Sequence, residues 1–323
     1  MSPPLVTIGV LSYNRLHYLR ALMTSARECV RYPHVQWILV DGGSVEPGLR
    51  EYVEGLEFLD HVSFEPCTQA EALNRIVELA EGDFLMLLPE DVQFIARGPW
   101  LEDMVEIASR PEVGHVQFDA QRRQTLRRHF SERPLIVAGR RVPLVHARPR
   151  ELRSSSGRRF LGYGDLRDPI GAAGHVTFTR TEVRRRLGPW QTWEGHHPRD
   201  SGLGAERDMI RRYEASGLRL EAFLMTVPAV ADVVTDPRGT KARIRQGNRR
   251  YGRYAPPPGG SALYYRIRDP HELEELARTK PAPAFEDVVE PCGFELPLDQ
   301  HGNLLKADVI SPEEPYELVE GSA

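Results

Sequence analysis

The stretch Gly82–Phe94, GDFLMLLPEDVQF, limits the possible folds more than any other part of the chain. Its five large apolar residues, Phe84 to Leu88, stand between Gly-Asp and Pro-Glu-Asp. A short run with no polar interruption predicts a central strand buried on both faces. That strand stops on two acids, Glu90 and Asp91. In an open α/β sheet the carboxyl ends of the strands line the ligand crevice. Two hard oxygen donors at that tip suit Mg²⁺ or Mn²⁺, which prefers one or two carboxylates plus substrate phosphates. The same position allows a plainer role, with Asp91 capping a helix expected over 99–109.

The preceding residues repeat one unit. LVTIGVLS (5–12) and QWILVD (36–41) read as strands, and 61–64 as a third, short one. Between them, Leu16, Leu19, Met23, Ala26 and Val30 recur at helical spacing. Leu49, Tyr52, Val53 and Leu56 do the same, and so do Leu73, Ile76, Val77 and Ala80. This rhythm implies right-handed βαβ units and a mostly parallel sheet flanked by helices. Strand ends at Tyr13, Asp41 and Glu90-Asp91 then meet on one edge. Neither a Gly-x-Gly-x-x-Gly turn nor a Gly-x-x-x-x-Gly-Lys-Ser/Thr loop follows a strand, which disfavours dinucleotide-binding and P-loop folds.

With 323 residues, 41% of them apolar and 27% charged, the chain is sized for one large domain with an appendage. No apolar run approaches a membrane span and the N-terminus lacks a signal-peptide pattern, so a cytoplasmic protein is expected. Cys29, Cys67 and Cys292 are scattered and predict buried thiols, not a disulfide framework. The net charge of −4 hides an asymmetry. Residues 269–323 hold 14 acids against 3 bases, whereas 121–160 hold 12 arginines against two glutamates, and 238–253 hold seven basic residues and no acid. Such blocks favour an anionic partner.

In order, SYNR after the first strand, VDGGS after the second, Ala72-Leu73-Asn74, and Gly-Asp before an apolar strand and an acid pair resemble family 2 glycosyltransferases of the GT-A, Rossmann-like fold. HVTFTRTEVRRRLGPW (175–190) and GAERDMIRRYEASG (204–217) are similar to that family's second half. The resemblance implies a catalytic region over 1–235, with a nucleotide-sugar half to about 118 and an acceptor half from 119. A basic loop and linker over 236–268 and an irregular acidic extension over 269–323 follow. It also implies a nucleotide-diphosphate sugar donor, with UDP the leading choice, and Mg²⁺ or Mn²⁺. Tyr13 would stack on the base with Asn14 and Arg15 beside it, Asp41 would bond base or ribose, and Asn74 would belong to the donor side. Glu90 and Asp91 would bind metal and diphosphate, and Arg243, in the basic run, would close over the diphosphate. Thr68 stands where some members carry an arginine toward the phosphates.

On the helix expected over 204–217, Glu206, Met209, Ile210 and Tyr213 share one face, while Asp208 points outward toward Arg211 or Arg212. A carboxylate in the first turn of an inward face suits a general base, the role the resemblance gives to Glu206 in an inverting transfer to an acceptor hydroxyl. A plainer role is an acid favoured by the helix dipole. In the loop before it, Trp190 is either core or sugar platform, and Trp193 with His196 is expected at the acceptor. That acceptor is a saccharide, glycolipid or other anionic molecule; the arginines would also suit nucleic acid, which is not favoured. The arginine run either faces this acceptor or neutralises the acidic tail, which itself could form an oligomer contact. Two alternatives stay open: a nucleotidyltransferase on a similar sheet, and a non-catalytic module that grips an anionic glycan or nucleic acid.

Overall fold

The computed structural model describes residues 2–119, 135–137, 140–142, 150–163, 176–192, 208–213, 215–218, 220–233, 257, 260–280, 283 and 285–296. In chain order the elements are β1 (Val6–Ser12), α1 (Leu16–Cys29), β2 (Val35–Asp41), α2 (Leu49–Glu54), β3 (His61–Ser63), α3 (Gln69–Leu79) and β4 (Phe84–Pro89). Then come β5 (Val92–Phe94), α4 (Trp100–Ala108), β6 (Val113–Gln117), β7 (Leu135–Val137), β8 (Arg140–Val142), β9 (Arg150–Arg153) and β10 (Arg159–Tyr163). The last are β11 (Thr177–Arg180), α5 (Thr181–Arg186), β12 (Glu221–Met225), β13 (Val230–Asp232), α6 (Pro270–Thr279) and α7 (Phe285–Val288).

Nine strands form one sheet in the order β3-β2-β1-β4-β11-β6-β12-β10-β9. The first four run parallel, as the alternating pattern predicts, with β1 between β2 and β4. Only β11 and β10 run against the rest. Successive side chains of the central strands go to opposite faces. Val6, Ile8, Val10, Met86 and Leu88 join α1, α2 and α4 in one core, whereas Leu11, Leu85 and Leu87 join α3, Trp190, Met209 and Tyr213 in a second. Helix α3 packs so closely that a Cβ on Gly9 would fall 2.2 Å from Ile76 Cγ2, so β1 needs glycine there. Thr68 starts α3 with a capping box: its Oγ1 accepts from Glu71 N, and Glu71 Oε2 accepts from Thr68 N at 2.7 Å.

Three expectations change. Residues 92–94 form a strand and α4 has Pro99 as its N-cap, so Asp91 does not cap that helix. Of the thiols, Cys29 is buried, which pushes it up to about 12, but Cys67 and Cys292 are half-buried. The described residues of 260–296, which include the end of the expected linker and the start of the acidic extension, are packed. Tyr264, Tyr265, Phe285, Val288 and Val289 form a third core with Tyr18 of α1 and Ile95. Gln93 Oε1 accepts from Tyr264 N at 2.8 Å and Tyr265 N at 3.1 Å, and its Nε2 donates to Tyr265 O at 2.7 Å. No helix among the described residues is long and apolar enough to cross a membrane.

Candidate active site

The carboxyl ends of β1, β2 and β4 lie side by side: Ser12 pairs with Asp41, and Leu11 with Pro89. The next residue of each strand end puts Asp41, Ser12 and Glu90 in one row. The turns after β1 and β2 interlock. Asp41 is fully buried, and its Oδ1 accepts from Gly43 N at 3.0 Å and Ser44 N at 2.6 Å. Its Oδ2 accepts from Ser44 Oγ at 2.6 Å. Asn14, in the left-handed region at φ 51°, accepts on Oδ1 from Val45 N at 2.8 Å and Glu46 N at 3.1 Å, and its N–H donates to Ser44 Oγ at 2.8 Å. Glu46 Oε2 accepts from Leu16 N at 2.9 Å, an acid at the positive end of α1. Gly43, at φ 87°, is pressed against Pro66, where a Cβ would fall 2.9 Å from Cα. Over this turn Tyr13 remains 49% exposed.

Arg15 leaves the same turn toward the acids. Its Nε lies 3.1 Å from Glu90 Oε1 and its Nη1 2.7 Å from Asp91 Oδ2. Glu90 is 5% exposed, and burial pushes its carboxyl up, to about 7, against the lowering charge of Arg15 and with a further rise from Asp91. Among the described residues no third acid, histidine or cysteine completes a metal cluster with them. Two carboxylates, each with one oxygen on Arg15, fit a hard dication that takes the rest of its ligands from phosphate and water. Ser12 Oγ, between Asp41 and Glu90 in the row, is buried with no hydrogen-bond partner. The main chain around the acids is held as well. Val233 N donates to Asp91 O at 2.7 Å, β13 pairs with β5, and Tyr265 Oη donates to Asp232 O at 2.9 Å.

Tyr13, Asn14, Arg15, Asp41, Glu90 and Asp91 are therefore neighbours. Asn74, expected on the donor side, has its Nδ2 donating to Trp190 O at 2.8 Å and its Oδ1 accepting from Trp190 N at 2.7 Å, so its amide braces α3 against the segment after α5. Trp190 is core, with the Arg184 guanidinium 4.7 Å over its ring. Glu206, Trp193, His196 and Arg243 lie outside the described residues. Of the helix expected over 204–217, 208–213 is helical; Met209 and Tyr213 are buried and Asp208 pairs with Arg212. Among the described residues, Arg150, Arg153, Arg158 and Arg159 pair with Glu112, Glu221, Glu151 and Asp103. Sequence reasoning missed Ser44, Glu46 and Gln93. Only Ser44 carried a signal, since Asp-Gly-Gly-Ser is an Asx-turn composition.

The family model of glycosyl transferase family 2 matches residues 7–172. An uncharacterized protein of Sinorhizobium fredii is 33% identical over 118 residues, 35% of this chain and 13% of that protein. An O-antigen biosynthesis protein of Myxococcus xanthus is 31% identical over 118 residues, 35% of this chain and 9% of that protein. The chain thus matches a small part of either relative. Among solved structures, a mannosyltransferase of Pyrobaculum calidifontis in complex with GDP-mannose and Mn²⁺ is 20% identical, with TM-score 0.49 over 76% of this chain and 62% of that one. S. aureus TarS in complex with UDP-GlcNAc is 14% identical, with TM-score 0.45 over 72% of this chain and 59% of that one. Because the family match spans just over half of its residues, the chain belongs to glycosyl transferase family 2.

Proposed function

We propose that the chain is an inverting glycosyltransferase that moves a sugar from a nucleotide-diphosphate donor to an acceptor hydroxyl. The observation that carries this reading is the row at the sheet edge, where the Tyr13–Asp41 turn adjoins the Glu90–Asp91 pair. A nucleotide laid along it would set its base on the Tyr13 ring and its diphosphate over the acids. Asp41 Oδ2 accepts one hydrogen bond from the turn, which leaves a lone pair for a base or ribose donor. Asp91 and Glu90 would hold Mg²⁺ or Mn²⁺, which supplies positive charge to the leaving diphosphate.

Further positive charge would come from the basic run that contains Arg243. The chain leaves the acids at Val233, bonded to Asp91 O, and returns at Tyr264, bonded to Gln93. The sequence between those anchors includes the basic run 238–253.

Glu206 would take the proton of the acceptor hydroxyl as that oxygen attacks the anomeric carbon from the face opposite the leaving group. The pairing of Asp208 with Arg212, beside buried Met209 and Tyr213, supports the face assignment behind this role. On the acceptor side, Trp193 and His196 would contact a saccharide or glycolipid.

A thermal-shift screen of UDP-, GDP-, CMP- and dTDP-sugars with Mn²⁺, followed by product analysis with the sugar that binds, tests the reading. A ligand that binds only the folded chain raises its melting temperature. Stabilisation by one donor together with sugar transfer is expected. Absence of any shift would discard it, and cleavage at the α-phosphate would replace it with nucleotidyl transfer.

A further inference from the structure

Glu90 and Asp91 are the two residues between β4 and β5. One side of that turn is fixed by β4, inside the nine-stranded sheet, but β5 pairs outside that sheet, with β13. Whatever holds β5 therefore also sets where the two acids stand. A closed circuit of hydrogen bonds does so. Val233 N donates to Asp91 O at 2.7 Å, and the carbonyl of that same peptide group, Asp232 O, accepts from Tyr265 Oη at 2.9 Å. Tyr265 N donates to Gln93 Oε1 at 3.1 Å and Tyr265 O accepts from Gln93 Nε2 at 2.7 Å, which returns the circuit to β5, two residues from Asp91. Gln93 is fully buried, and the Tyr265 ring is seated against Phe285 and Phe294.

We infer that Tyr265 is a positioning residue for Asp91, the proposed metal ligand, and acts on it through the peptide group between Asp232 and Val233. This rests on the proposed donor site and adds to it a residue from the far end of the chain. A peptide group is planar and stiff, so a hydroxyl that holds its oxygen also sets the direction of its N–H. Hydrogen bonds in series polarise one another, so the Tyr265 hydroxyl also strengthens the bond from Val233 to Asp91. Gln93 ties the Tyr265 main chain to β5 while the Tyr265 hydroxyl ties it to β13, and the Asp91 main chain cannot shift without breaking this circuit. A carboxylate offered to a dication has to be held to within about 0.5 Å. A hydroxyl two hydrogen bonds from Asp91 thus contributes to metal affinity without touching metal or donor.

Two substitutions separate this from ordinary packing. Tyr265→Phe removes the hydroxyl from the circuit. Tyr32→Phe removes a hydroxyl of the same kind, which donates to Pro4 O at 2.9 Å, two residues before β1 and so at the opposite edge of the sheet. Mn²⁺, alone and with saturating UDP or GDP, is titrated calorimetrically into the full chain and both variants, and the two nucleotides are titrated without metal. Both variants should melt below the wild type, since each loses one bond to a carbonyl. Only Tyr265→Phe should bind Mn²⁺ about tenfold more weakly, the loss typical of a group that orients a metal ligand, with metal-free nucleotide affinity within about twofold of the wild type. Equal Mn²⁺ affinity in the two variants would leave Tyr265 a structural residue and overturn the inference, and so would an equal loss of metal-free nucleotide binding. If Tyr265→Phe does not fold, the wild type still decides. Coupling is reciprocal, so Mn²⁺ with UDP should slow hydrogen exchange at the Val233, Tyr264 and Tyr265 N–H groups severalfold against UDP alone; unchanged exchange overturns the inference. If the wild type binds neither Mn²⁺ nor nucleotide, the donor-site reading itself is lost and the positioning role with it.

Discussion

Ser44 Oγ donates to Asp41 Oδ2 across 2.6 Å, while the same aspartate's Oδ1 accepts from two main-chain N–H groups of its own turn. Asp41 therefore builds the pocket as well as lining it. Asp41→Asn exchanges one acceptor oxygen for a donor in a fully buried position. It should cost about 1–3 kcal/mol of stability, the penalty for a buried polar group left unsatisfied. Nucleotide affinity should fall about tenfold with it. Ser44→Ala removes one of the three bonds on Asp41 and also the acceptor of Asn14 N, and should cost about 1–3 kcal/mol. Urea unfolding and calorimetry report both quantities; an Asp41→Asn protein as stable as the wild type would show that the turn does not depend on the carboxylate.

Asp91 pairs with Arg15 and has its carbonyl held by Val233 N, so the residue is positioned from both ends. Asp91→Asn keeps the shape and the main-chain bond but removes the anionic ligand. Nucleotide binding should lose most of its dependence on Mn²⁺, with affinity down about tenfold or more, since a bond to a charged group is worth roughly 1.5–3 kcal/mol. Equal affinity with and without Mn²⁺ in wild type and variant alike would remove the metal from Asp91.

The parallel half of the fold was readable because each element has a local cause. Phe84–Leu88 is too short and too uniformly apolar for anything but a central strand, and an acid at its tip must lie at the sheet edge. The acids and Tyr13 could therefore be grouped before any coordinates. The bonds of Asn74 to Trp190 were not readable, because nothing local marks an amide that meets a residue 116 positions away. Strand β5 was invisible for the same reason: three residues make no period, and Gln93 has meaning only once Tyr264 and Tyr265 arrive from the far end of the chain. The acidity of 269–323 concealed the apolar residues Phe285, Val288 and Val289 that seat it.

The pairing of Asp208 with Arg212, beside buried Met209 and Tyr213, fits the face assignment on which the base role of Glu206 depends. Glu206→Gln should leave nucleotide affinity within about twofold and reduce transfer by about 10²–10⁴, the usual contribution of a general base. Asp208→Asn, on the outward face, should alter transfer by less than about threefold, because it removes only a partly exposed i,i+4 pair. Single-turnover transfer with saturating donor separates the two; a Glu206→Gln enzyme that retains full turnover would take Glu206 out of the chemistry.

His115 lies on β6 against Arg184, Thr179 and Tyr213, and burial with the neighbouring Arg184 charge holds its imidazole down at about 3 instead of 6.5. It is thus neutral when folded, and its Nε2 has no hydrogen-bond partner. The unfolded chain binds a proton at this side chain below about pH 6.5, whereas the folded chain resists until about pH 3. Stability must therefore fall as pH drops through 6.5, approaching about 1.4 kcal/mol per pH unit. Replacing His115 by Gln removes that titration. The difference in unfolding free energy, wild type minus His115→Gln, should decrease by about 1 kcal/mol between pH 6 and pH 5. Denaturant melts at the two pH values measure it, and parallel losses in both proteins would mean that the folded His115 takes up its proton as readily as the unfolded one.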